Sequence, residues 1–235
     1  MVIRQLRHGS DNLSYIVHGE KDAIVIDGVA VKEIMKYLQA NNLSLKYIFN
    51  THSHGDHTSG NNSLIQQTHA TFVSIDTLCA KQDWIIENVP MIIYKTPGHT
   101  QDSICFHIND WLITGDTLFN GTAGNCFTND EAAFVNSLNQ LKRLPDQTII
   151  YPGHDYIKPA MNFARKKGLN VSAVDTFLAS YDPQNVCSTL KQEKQHNPFL
   201  RLNMPEIKKQ LDSQGLPCET ETECFRSLKE IEIWD

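Results

Sequence analysis

Four side chains able to bind a metal fall within six residues: His52, His54, Asp56 and His57 in the run Thr51-His52-Ser53-His54-Gly55-Asp56-His57. Neutral imidazole and carboxylate are good ligands for zinc, iron and manganese. A catalytic site also needs ligands from elsewhere in the chain and a position open to water. Three candidates follow: His99 in Thr96-Pro97-Gly98-His99-Thr100, Asp116 in Thr114-Gly115-Asp116-Thr117, and His154 in Tyr151-Pro152-Gly153-His154-Asp155. Each comes after a glycine that closes an apolar stretch, so each reads as a ligand set where a strand ends and the chain turns. A solvated polar loop with idle histidines is the plainer alternative. Four ligands in six residues, with three more at strand ends, weigh against it.

The elements around the loop fit that placement. Tyr47-Ile48-Phe49 reads as a uniformly apolar strand, central in its sheet and covered on both faces. Thr58-Ser59-Gly60-Asn61-Asn62 is rich in cap and turn residues, and 61–68 reads as a helix. Upstream, 2–6, 14–17 and 23–26 read as strands joined by tight turns, which suggests antiparallel hairpins. Asp27 at the end of the third reads equally as a turn residue or as a group pointing at the metal loop. Val31, Ile34, Met35 and Leu38 recur at helical spacing in 31–43. Downstream, 71–75, 91–94, 103–108, 111–114 and 148–151 read as strands, with Asn109-Asp110 a two-residue hairpin turn. His107 faces out of its strand and is not a ligand. Asp130 caps a helix running to Leu144.

After His154 the strand signals disappear. Segments 159–167, 171–180, 205–213 and 222–232 read as helices between loops marked by Pro and Gly. Arg165-Lys166-Lys167 before Gly168 is the basic last turn of one of them. The chain therefore divides into residues 1–157, a metal-binding catalytic domain of α+β class with two packed sheets and outer helices, and residues 158–235, a helical extension.

Composition narrows the function classes. At 235 residues the core is large enough to need no disulfide. The six cysteines form no Cys-x-x-Cys, and the N-terminus carries no long apolar core, so reduced thiols and a cytoplasmic protein are expected. The net charge of −6, without concentrated basic residues, gives no nucleic-acid footprint. No apolar run approaches the length of a membrane span.

The set His52-x-His54-x-Asp56-His57, His99, Asp116 and His154 resembles the metallo-β-lactamase superfamily over residues 2–157. Within it the chain is similar to glyoxalase II (hydroxyacylglutathione hydrolase). The closer marks are 51–61, Pro97-Gly98-His99-Thr100 and Gly115-Asp116-Thr117-Leu118-Phe119. The tail agrees independently of any ligand, through Ser188-Thr189-Leu190 and His196-Asn197-Pro198-Phe199-Leu200-Arg201.

The resemblance implies an αββα sandwich with a C-terminal helical, substrate-binding domain, and two divalent metal ions, zinc first, with iron or manganese as alternatives. His52, His54 and His99 would hold the first ion and Asp56, His57 and His154 the second. Asp116 would bridge them beside a hydroxide that attacks a thioester such as S-D-lactoylglutathione, in methylglyoxal detoxification. Asp56 would also orient that hydroxide. Binding to a metal lowers the pKa of water from about 15.7 to about 7, and a thiolate leaves without strong acid catalysis.

Gly124-Asn125-Cys126-Phe127 departs from the family, which places a basic residue where Asn125 stands. Asn125, Phe127, Tyr156 and Lys229 are the substrate-contacting candidates, with Glu232 where a second basic residue is expected. The partner is thus a small-molecule thioester, with no nucleic acid or membrane. A persulfide dioxygenase with one iron, through resemblance at 150–156, is the runner-up. A hydrolase of lactones or of other thioesters follows. A non-enzymatic metal-binding module is the minor alternative, and an exported β-lactamase is disfavoured by the start of the chain and by Asp116.

Overall fold

The computed structural model describes residues 1–80 and 84–232. Two sheets face each other. The first runs in the order Val2–His8, Asn12–His18, Asp22–Ile26, Ser44–Phe49, Thr71–Phe72, and the second Ser188–Thr189, Ile149–Pro152, Trp111–Gly115, Ile104–Ile108, Val89–Lys95, Trp84–Ile86. Alternate residues of the first sheet take opposite sides. Tyr15, Val17, Ile24, Ile26 and Phe49 enter the core shared with the second sheet. Ile16, Val25 and Ile48 meet Ile34, Leu38 and Leu64 from the helices Val31–Ala40 and Asn61–Thr68. Phe49 stacks on Phe106 across the interface, with centroids 5.8 Å apart. On the other side the helix Glu131–Lys142 buries Phe134, Leu138 and Leu141. This is the αββα layering expected.

Each sheet mixes hairpins with parallel pairs. Asp22–Ile26 and Ser44–Phe49 are parallel, and so are Trp111–Gly115 and Ile149–Pro152. Helices make the crossovers, as parallel neighbours require. The carboxyl ends of all four strands therefore lie at one end of the sandwich, and from them leave Asp27, the loop carrying His52 to His57, Asp116 and His154. Two backbone bonds tie the sheets together there, Leu13 N–H to the Gly153 carbonyl at 2.9 Å and Ile104 N–H to the Thr51 carbonyl at 2.8 Å.

The C-terminal part comprises the helices Ile157–Lys166, Val171–Ala179, Leu190–His196, Pro205–Asp212 and Glu221–Ile231, with a 3-10 turn Pro198–Leu200. Glu221–Ile231 lies on Glu131–Lys142 through Phe225 against Phe134 and Arg226 against Glu131.

Several expectations are corrected. Ser44–Phe49 is not central: only the two-residue strand Thr71–Phe72 separates it from the sheet edge, and Tyr47 is 37% exposed. The strand read at 71–75 stops at Phe72, because Ser74 accepts the Thr77 N–H and starts the helix Ile75–Ala80. Strands do not end at His154, since Ser188–Thr189 pairs with Ile149–Pro152. Trp84–Ile86 is a further strand, too short to show a period; its turn, Glu87-Asn88, has positive φ at both residues, which suits a tight hairpin. The thiols are not all reduced: Cys218 is bonded to Cys224, while Cys79, Cys105, Cys126 and Cys187 are free. The residues 233–235 of the expected second domain lie outside those described.

Candidate metal centre

The loop after Phe49 is held by Asp27. This fully buried residue has φ of 53°, and its carboxylate accepts from Thr51 N–H (2.8 Å), Thr51 Oγ1 (2.7 Å) and His57 Nδ1 (2.9 Å). Both readings of Asp27 thus hold, as a turn residue and as a group aimed at the loop. A one-turn helix, Gly55–Thr58, then starts at His54 and returns His57 to the interior.

Three other imidazoles are fixed in the same manner. His154 Nδ1 meets Asp11 Oδ1 at 2.9 Å, His99 Nδ1 meets the Asn125 carbonyl at 2.9 Å, and His52 Nδ1 meets Thr51 Oγ1 at 3.1 Å. Each partner accepts, so the ring proton sits on Nδ1 and the Nε2 lone pair faces the site, as metal-binding histidines are commonly held. Sequence reasoning missed Asp11 and the Asn125 carbonyl. Neither belongs to a ligand motif, and both arrive by tertiary folding.

The seven side chains converge. His52, His54 and His99 bring one nitrogen each to a common point, with His54 Nδ1 3.0 Å from both of the others. Asp56, His57 and His154 form a second group. Asp116 stands between: Oδ1 lies 3.3 Å from His57 Nε2, and Oδ2 lies 3.5 Å from the Nε2 atoms of both His99 and His154. Gly153 permits this, because a Cβ there would collide with Asp116 Oδ1.

Burial opposes charge on Asp116, yet the facing histidines hold its carboxyl well below the carboxylate range. Burial also opposes charge on His57, but Asp27 and Asp116 push it up to about 11. His52 is pushed down to about 4, first by burial and then by charged His57, and His99 is lowered chiefly by burial. His57 Nε2 and Asp116 Oδ1 are buried and have no hydrogen-bond partner. A buried nitrogen and a buried carboxylate oxygen that face each other at 3.3 Å without a hydrogen bond, beside imidazoles whose lone pairs point the same way, fit divalent cations once His57 gives up its proton. The His/Asp clusters are compatible with a dinuclear metal site.

A cleft of about 480 Å³ opens over the cluster, walled by Phe119, Asn125, Phe127 and Tyr156. Phe127 is 62% exposed and stands edge-on to His54 and His99. Tyr156 stacks on His154 at 5.1 Å, and its phenol is pushed up to about 12 by burial and by the nearby carboxylates. Lys229 lies further out, where its ammonium meets Glu232 at 2.6 Å.

Comparison with known proteins agrees with this geometry. The family model for the metallo-beta-lactamase superfamily matches residues 9–80 and 82–154, and that for the hydroxyacylglutathione hydrolase C-terminus matches 155–232. A hydroxyacylglutathione hydrolase of Pelagibacter ubique is 35% identical over 88% of this chain and 95% of its own length. The chain belongs to the hydroxyacylglutathione hydrolases of the metallo-beta-lactamase superfamily. A probable hydroxyacylglutathione hydrolase of Schizosaccharomyces pombe, also 35% identical, is covered over 87% of its length and 86% of this chain. Among solved structures, ETHE1 from Myxococcus xanthus superposes with a TM-score of 0.69 at 23% identity, covering 99% of this chain and 92% of that one, which shows a shared fold. This family membership spans the helical tail as well as the metal loops.

Proposed function

We propose that the chain is a dinuclear-metal thioester hydrolase acting on hydroxyacyl thioesters of glutathione, such as S-D-lactoylglutathione. The observation that carries this is Asp116 set between two three-residue groups of ligand side chains, at the floor of a cleft wide enough for an acyl thioester. In this reading His52, His54 and His99 would hold one cation and Asp56, His57 and His154 the other, with Asp116 available to both. Two divalent cations there would supply Lewis acidity and a hydroxide nucleophile at neutral pH. Zinc is the proposed metal, and a His/Asp set without Cys would accept iron or manganese in its place.

The chain's own groups do the remainder. Asp56, with a side chain 54% exposed at the cleft, accepts a hydrogen bond from the attacking water and orients it. Tyr156 stays protonated at neutral pH and donates to the substrate. Phe127 and Phe119 exclude water from the acyl group. The water oxygen bonds to the acyl carbon, the C–S bond breaks, and the thiolate departs and takes up a proton. Residues 1–157 would provide this chemistry, and 158–235 would wall the thiol arm. A role in methylglyoxal detoxification in the cytoplasm belongs to the same proposal. No helix of the described residues is long and apolar enough to cross a membrane.

The test is hydrolysis of S-D-lactoylglutathione by protein whose metal is counted on the same sample. Turnover with close to two metals per chain is expected. Two metals without turnover would remove glutathione and leave other thioesters and lactones. One iron, with oxygen consumed on glutathione persulfide, would replace the hydrolase by a dioxygenase.

A further inference from the structure

Beside the metal-centre cleft lies a second one of about 540 Å³, which shares Phe119, Asn125 and Tyr156 with it. Because the two clefts adjoin through these residues, the arm of a thioester placed at Asp116 would extend into this space. Lys229 is the one cation among its described lining residues, and that charge is already engaged. Its ammonium donates to Glu232 Oε2 at 2.6 Å and to the Ala123 carbonyl at 2.5 Å, and stands 4.5 Å from the centroid of Phe199. Glu232 is 7% exposed, and its other oxygen accepts from the Thr122 hydroxyl. The other charged lining groups are acids: Asp11, bonded to His154, and Asp155, bonded to Arg7 and Tyr181.

We propose that Glu232 is the residue that sets arm specificity, by holding the charge of Lys229 inside the fold so that the cleft takes the arm through neutral groups and is indifferent to an arm carboxylate. This rests on the thioester hydrolase reading. Two of the three ammonium protons of Lys229 are taken by Glu232 and the Ala123 carbonyl; an arm carboxylate that takes the third meets a charge already neutralised by Glu232, and one that displaces Glu232 strips a buried acid of its partner, so either contact returns little. Asn125 offers the arm an amide but no charge.

The experiment compares S-D-lactoylglutathione with its glycyl ethyl ester, which has one negative charge fewer. In the wild type their kcat/KM values should agree within about threefold. Glu232→Gln keeps the side-chain length and an amide oxygen for Thr122 while releasing Lys229. It should shift the ratio toward the free acid by about tenfold or more, through KM, as a new charge-assisted bond would. Lys229→Met in that background should cancel the shift. A wild type that already prefers the free acid tenfold, with Lys229→Met abolishing the preference, would overturn the proposal. So would Glu232→Gln with wild-type metal content and melting temperature but an unchanged ratio. If Glu232→Gln does not fold, the wild-type ratio decides. If metal-replete wild type hydrolyses neither substrate, the hydrolase reading is what failed. The charge rule is then read from binding of S-methylglutathione and its glycyl ethyl ester by calorimetry: equal affinities support it, and a tenfold preference for the acid refutes it.

Discussion

Asp27 contacts no substrate, yet it locks the Thr51 turn and sets the tautomer of His57. Removing such an outer carboxylate typically weakens metal binding about 10–100-fold. Asp27→Asn should lower affinity for one of two cations by that order in a competition titration with a chelator; two sites left at wild-type strength would refute the role. Metal binding must also expel the proton that Asp27 and Asp116 hold on His57. Metal titrations between pH 7 and 8 in buffers of different ionisation enthalpy should show about one proton from His57 and up to about one more from the water that becomes hydroxide, with a smaller total after Asp27→Asn. Gly153→Ala places a methyl against Asp116 Oδ1. A displacement near 1 Å at reacting groups costs about 100-fold, so kcat should fall by that order while the melting temperature moves little; unchanged kcat would mean that the loop yields. The seven side chains that converge were legible in sequence because imidazole and carboxylate clustered at 52–57, or standing after a glycine at a strand end as at 99, 116 and 154, are local signals. Asp11, 143 positions from His154, and the carbonyl of Asn125 carry no such signal.

Among the elements, the short hairpin pairing Leu118–Phe119 with Thr122–Ala123 connects Asp116 to Asn125, and a buried acid holds it. Glu193 accepts from Gly121 N–H (2.9 Å), Asn197 Nδ2 (2.8 Å), Ser188 Oγ (2.6 Å) and His196 Nε2 (3.0 Å). Asn197 also donates to the carbonyls of Phe119 and Thr122. The tail motif at 196–201 thus shapes the wall of the metal-centre cleft without touching a cation. Breaking a buried pair costs about 3–5 kcal/mol, so Glu193→Ala should lower the melting temperature by roughly 10 °C. Burial opposes ionisation of Glu193, but His196 and the bonds from Ser188 and Gly121 more than offset it, and its pKa lies below the ordinary 4.5. Its contribution is therefore complete above about pH 4.5 and is lost as pH falls through the lower folded value. The stability gap between wild type and Glu193→Gln should narrow below pH 4.5; a gap independent of pH would deny that the charge matters. Long amphipathic segments such as Glu131–Lys142 were readable from their period, whereas Ser188–Thr189 and Trp84–Ile86 are too short to show one.

Across the whole molecule one core runs from Leu13 and Phe106 in the sheets to Phe199 and Phe225 in the tail. The sequence divides the chain near residue 157 because strand signals give way to helices there, but packing crosses that point in the second sheet and in the helix pair Glu131–Lys142 and Glu221–Ile231. Calorimetry should show a single transition with equal calorimetric and van't Hoff enthalpies. A chain cut after residue 157 would expose Phe134 and the edge of Ile149–Pro152 and should aggregate. Two resolved transitions, or a soluble, metal-loaded fragment, would show that the halves are independent.

The strand Ser188–Thr189 also imposes an order on biosynthesis. All seven side chains of the candidate metal centre have been translated by residue 154, some 34 residues before the segment that closes the second sheet and nearly 40 before Glu193. With N-terminal parts folding first during synthesis, a nascent chain passes through a stage that holds every metal-binding group while the sheet edge beside them is still open. On the proposed reading, a metal that reaches the ribosome-bound chain at that stage would meet all seven side chains of the candidate centre before the hairpin bearing on Asp116 has been locked.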